Sequence, residues 1–69
     1  MKIFGIDPGS ERTGYGCVEL LGSRHHLVIC GALSAPCGAT FPDKLRFIHD
    51  GLVALISRHR PDCVAVENI

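Results

Sequence analysis

The chain has 69 residues, 46% of them hydrophobic, and its seven Lys and Arg balance seven Asp and Glu to a net charge of zero. That length admits one domain at most and a small buried core. The recurring apolar runs and low charge exclude a disordered segment, and the neutral balance excludes the basic footprint of a complete nucleic-acid-binding domain.

Residues 3–6, Ile-Phe-Gly-Ile, form a short and nearly continuous apolar run. Such a run suits a strand covered on both faces, hence a central one. Asp7-Pro8-Gly9-Ser10 breaks it with turn chemistry. A second strand is predicted over 13–20, where Tyr15, Cys17, Val18 and Leu20 alternate with small or polar residues. Gly14 and Gly16 there mark close backbone approach or a bulge. A turn around Gly22 leads to a third strand over 26–35, so strands two and three make a hairpin.

After a loop at 36–40, Phe41, Leu45, Ile48, Leu52 and Leu55 recur at intervals of four and three. They share one face of a helix predicted over 41–60. Pro42 and Asp43 suit its first turn, Arg58, His59 and Arg60 suit its last, and Pro61 stops it. Gly51 costs about 1 kcal/mol against alanine in mid-helix, which suggests close approach to the sheet. Residues 62–67 make a fourth strand, apolar from Cys63 to Val66 and ending in Glu67.

Two strands thus end in an acid, at Asp7 and at Glu67. Strand three runs parallel to strand one, and a right-handed helical crossover makes strand four parallel to both. Asp7 and Glu67 therefore leave the sheet at the same edge. With strand four outside strand three, the acids would stand roughly 14 Å apart; beside strand one, they would be neighbours. The apolar first strand needs a partner on its free side, so the predicted order is 3-2-1-4, an α/β mixed sheet with one crossover helix. Two adjacent carboxylates repel, and a divalent cation relieves the conflict. Hard oxygen ligands suit magnesium or manganese, which can polarise a phosphodiester and activate water. The plainer reading keeps Asp7 as a turn cap and Glu67 as a solvated strand end.

Gly5-Ile6-Asp7-Pro8-Gly9-Ser10 with Thr13-Gly14-Tyr15-Gly16, and Pro61-Asp62-Cys63-Val64-Ala65-Val66-Glu67 further on, resemble two blocks of the RuvC-type Holliday junction resolvases. The likeness covers essentially the whole chain and is fairly specific in this order. It implies an RNase H-like fold, with 1–69 as the N-terminal part of a single, incomplete nuclease domain. It further implies a homodimer that cuts four-way DNA junctions by magnesium-dependent hydrolysis, leaving 5′-phosphates, with manganese as a possible substitute and a branch-migration motor complex as partner. Asp7 and Glu67 match two of the family's four acidic metal ligands. The other two, near the family's C-terminus, have no counterpart here, and an aromatic that helps open the junction is expected just beyond Ile69. The chain alone is therefore expected to be catalytically silent.

Three other readings stay open at this point. Asp7-x-Gly9 with Gly14 also resembles the phosphate-binding hairpin of actin and sugar-kinase ATP-binding domains. A resolvase-like family that acts in RNA processing shares the first block. The third reading is a non-catalytic remnant. The remaining residues point to ordinary roles. Cys17, Cys30, Cys37 and Cys63 show no CxxC spacing, so no zinc ribbon or thioredoxin-like site is indicated. Cys17, Cys30 and Cys63 are expected to be small buried hydrophobes in a reducing compartment, and Cys37 a loop residue. The opening residues do not read as a signal peptide and no apolar run is long enough to span a membrane, so the chain reads as cytoplasmic. His25 and His26 are expected in a solvated turn, and His49 and His59 on the surface. Lys44, Arg46, Arg58 and Arg60 are expected on a solvated helix face, and Ser10 and Thr13 in a turn.

Overall fold

A computed structural model describes residues 1–9 and 11–67. The elements are β1 (Lys2–Asp7), β2 (Arg12–Leu21), β3 (Arg24–Ser34), α1 (Phe41–His59) and β4 (Cys63–Val66). The strands form one sheet in the order β3-β2-β1-β4, as the apolar first strand required. β1 is antiparallel to β2 and parallel to β4. β2 and β3 make an antiparallel hairpin in which Leu21 pairs with Arg24. Its two-residue loop places Gly22 at a φ of +62°, where a side chain would be strained and where the turn matches the twist of the strands.

The hairpin is longer than its apolar pattern announces. His25 and His26 lie in β3, opposite Leu20 and Glu19; His26 falls within the strand predicted over 26–35, and His25 extends that strand toward the turn, so neither sits in the solvated turn expected of the pair. Main-chain pairing continues to the loop because the two-residue turn leaves no reason for the ladder to stop earlier.

The helix is bounded at both ends by local chemistry. The Thr40 hydroxyl accepts a hydrogen bond from the Asp43 N–H at 3.3 Å, which satisfies one of the free donors of the first turn. At the far end Arg60 adopts φ +48°, and its N–H donates to the Ile56 carbonyl at 2.8 Å. Pro61 then prevents continuation. Gly51 meets β3 closely: a Cβ there would stand 2.8 Å from a Leu33 methyl. The approach suggested by the glycine is present.

Alternation along the strands divides the sheet into two faces. The register puts Phe4, Thr13, Tyr15, Cys17 and Leu33 on the helix side. Phe4 and Cys17 are fully buried there beside Ile48, and the Phe4 and Tyr15 rings stack with centroids 5.9 Å apart. Of the predicted helix stripe, Ile48 is buried and Leu52 and Leu55 are half-buried, but Phe41 and Leu45 remain exposed. One helix shields the middle of a four-stranded sheet and leaves its own first turn without cover.

The opposite face carries Ile3, Gly5, Gly14, Gly16, Val18, Cys30, Ala32 and Ala65, which line an open trough of about 800 Å³. Nothing covers it among the described residues. Cys30 is exposed for this reason, whereas Cys17 is buried and Cys63 half-buried, so the expectation of three buried cysteines holds fully for Cys17 alone. Among the described residues no helix is long and apolar enough to cross a membrane.

Candidate metal centre

The two acids meet at one edge of the sheet. β1 and β4 pair from Ile3 with Cys63 to Ile6 with Val66. Continuing that register sets Asp7 beside Glu67. The Glu67 N–H donates to the Ile6 carbonyl at 2.9 Å, so the backbone that carries the second carboxylate is anchored one residue before the first. At the other end of the pair, the Lys2 N–H donates to the Asp62 carboxylate at 2.7 Å and the Asp62 N–H to the Lys2 carbonyl at 2.8 Å. These clamps hold β4 in register.

The carboxylates affect each other directly. The Glu67 carboxyl is held above its ordinary range, first by a side-chain hydrogen bond with Asp7, then by the negative charge of Asp7, and least by desolvation. Two acids crowded at a strand edge raise the cost of ionising the second. A divalent cation would remove the same conflict, and the all-oxygen donor pair fits a hard ion such as magnesium or manganese. Among the described residues no third His, Cys, Asp or Glu joins them. By themselves the two carboxylates could fill only part of a coordination sphere.

The turn after Asp7 is fixed by Thr13, expected as a turn residue and also as the first residue of the strand predicted over 13–20. Thr13 lies in β2, with 2% of its surface exposed. Its hydroxyl donates to the Gly9 carbonyl at 2.9 Å and accepts from the Gly9 N–H at 3.3 Å. Gly9 has no room for a side chain, since a Cβ would lie 2.3 Å from the Arg12 carbonyl oxygen. The signal was present in the pairing of a glycine with a threonine four residues later, but only the folded turn shows that they touch. Ser10, the other expected turn residue, lies outside the described residues.

Lys44 also departs from expectation. It is partly buried, and its ammonium meets Glu11 at 2.7 Å, tying the helix to the turn with the modest strength of a largely exposed pair. Arg46, Arg58 and Arg60 are exposed as expected. His49 is exposed beside Asp50 at 3.2 Å. His59 is half-buried, not a surface residue: its Nε2 has no partner among the described residues, and its carbonyl accepts from the Lys2 ammonium at 2.9 Å. That contact brings the end of the helix to the start of β1. Cys37 is an exposed free thiol.

A sequence profile described as crossover junction endodeoxyribonuclease RuvC matches residues 3–69. The chain belongs to the RuvC family. The relative from Pelobacter propionicus is 49% identical over 69 residues, which span all of this chain and 39% of that protein. The one from Frankia alni is 47% identical over 70 residues, spanning all of this chain and 36% of the relative. This chain therefore spans about two fifths of the length of such relatives. The structure of Thermus thermophilus RuvC superimposes with a TM-score of 0.91 at 28% identity, covering 100% of this chain and 43% of that one. The same protein in complex with a Holliday junction substrate gives a TM-score of 0.90 at 29% identity, covering 99% and 42%. An exopolyphosphatase from Cytophaga hutchinsonii shares the fold alone, with a TM-score of 0.72 at 16% identity over 96% of this chain and 24% of that one. The architecture is RNase H-like, as the resemblance implied. RuvC membership also separates the chain from the ATP-binding and RNA-processing readings.

Proposed function

We propose that residues 1–69 form the N-terminal part of a single RNase H-like nuclease domain. The whole protein is read as a metal-dependent endodeoxyribonuclease that resolves four-way DNA junctions in recombination and repair. The observation that carries this reading is the meeting of Asp7 and Glu67 at one strand edge, in a chain of the RuvC family. These two carboxylates are assigned as metal ligands, with magnesium the preferred ion and manganese a workable substitute. When bound, the ion supplies charge neutralisation for the phosphodiester and a more acidic water.

The chain's own contribution is placement. β1 and β4 deliver the two carboxylates side by side, the Glu67 main chain is pinned to Ile6, and Thr13 holds the turn beyond Asp7. The remaining ligands, the bulk of the cationic DNA surface and the dimer contacts are assigned to the rest of the protein, in keeping with the neutral charge of these residues. The whole protein is read as a cytoplasmic homodimer that works with a branch-migration motor.

The test is Asp7→Asn in the full-length gene product. Cleavage of a synthetic four-way junction with magnesium should fall to background, while most junction binding survives, because phosphate contacts do not depend on one carboxylate. Undiminished cleavage would remove Asp7 from the ligand set.

A further inference from the structure

The acid pair leaves a charge problem on this face of the sheet. A DNA strand brought to Asp7 and Glu67 presents phosphates to two carboxylates, and an ion held by them would neutralise only its own neighbourhood. A fixed cation near the pair would hold an adjacent phosphate.

The chain has seven basic residues, and their positions single out one. Arg12 opens β2. Gly14, two residues along the strand, is the partner of Asp7, so Arg12 shares the face of Asp7 by alternation. Gly14 has no side chain to stand between them. The Arg12 Cα lies about 7 Å along the strand from that of Gly14, within reach of a long side chain beside the acids. Arg12 lines the same trough as Asp7 and Glu67. It is exposed and takes part in no ion pair among the described residues.

The other cations are placed elsewhere or engaged. Lys44 is paired with Glu11, and the Lys2 ammonium donates to the His59 carbonyl. Arg24 stands at the far end of the hairpin, opposite Leu21. Arg46 and Arg58 are on α1, across the sheet, and Arg60 caps that helix beyond its last turn.

We propose that Arg12 is a substrate-binding residue, which grips a DNA backbone phosphate adjacent to the one cut at Asp7 and Glu67. Its planar fork can donate two hydrogen bonds to one phosphate. The contact fixes the register of the strand and carries no sequence preference. This inference rests on the reading of Asp7 and Glu67 as the cleavage centre.

The experiment uses the full-length gene product and a synthetic four-way junction. Binding is measured in EDTA, where no cutting occurs, and single-turnover cleavage with magnesium at saturating enzyme. Arg12→Gln should weaken binding about tenfold at low salt. It should also make the dependence of log affinity on log salt shallower by about 0.9 for each site engaged. The saturated cleavage rate should stay within about twofold, and Arg12→Lys should restore the salt slope but only part of the affinity, since it keeps the charge and loses the fork. Unchanged affinity and salt slope in Arg12→Gln would overturn the proposal, as would a lower saturated rate at unchanged affinity. Asp7→Asn, run in parallel, tests the cleavage centre separately: its failure to stop cutting would overturn that assignment, while Arg12 is judged on binding alone.

Discussion

The two faces of the sheet are built from the same strands and could hardly differ more. On the helix side, Phe4, Cys17, Ile48 and Thr13 make a small closed core. On the other, glycines and small apolar residues floor an open trough of about 800 Å³. Alternation sends every second residue to each face, so a central strand with apolar residues on both sides needs two covers. α1 supplies one. The difference teaches that the fold of these residues is settled by strand order, while their stability depends on what lies across the open face.

The largest expected consequence concerns the 69-residue chain expressed alone. With so little apolar surface buried and one face bare, urea should unfold it over a broad range, and the chain should tend to associate. It should also leave a four-way junction uncut in magnesium, since two carboxylates do not complete a metal site. A sharp transition worth several kcal/mol would show that one covered face suffices. Paired cuts near the junction centre would show that the reaction needs less of the protein than the family's length suggests.

A smaller effect probes the closed face where it supports the acid edge. Thr13→Val in the full-length protein removes the hydroxyl and leaves the Gly9 N–H and carbonyl without their partner. The expected cost is about 1–3 kcal/mol in denaturant unfolding, together with slower cleavage as the turn beyond Asp7 loosens. Thr13→Ser should restore both. Equal stability of the valine variant would mean that water replaces the clamp.

The smallest effect lies at the open edge and is electrostatic. Glu67 holds a proton more tightly in the folded chain than at its ordinary value near 4.5, chiefly because of Asp7. Without metal, the pair therefore lowers stability as pH rises from that ordinary value through the raised one, and the penalty is absent at lower pH. In Asp7→Asn the Glu67 titration, followed by NMR of its side-chain carboxyl, should move back down. The metal-free variant should gain a little stability near neutral pH and none in acid. An unmoved Glu67 titration would show that the two carboxylates do not interact.

Much of this was legible in the residues. The alternation and turn chemistry gave four strands and one helix, and the apolar run at 3–6 placed β1 inside the sheet. That placement brings Asp7 and Glu67 together through chain connectivity alone. The hairpin ends were less legible: His25 is polar and precedes the strand predicted over 26–35, and only its pairing with Leu20 makes it a strand residue. Cys30 read as buried because apolar neighbours in sequence do not reveal whether a face is covered.

By itself, the sequence determined the element types, the strand order and the pairing of two acids, because periodicity and chain connectivity are local properties that exclude most alternatives. Only the tertiary structure decided that the Thr13 hydroxyl closes on Gly9, that Lys44 reaches Glu11, and that Arg12 shares the open face with the acids while every other cation is engaged or placed elsewhere. Those contacts join residues on different elements, and their chemistry becomes specific only when register and helix position fix which side chains can touch.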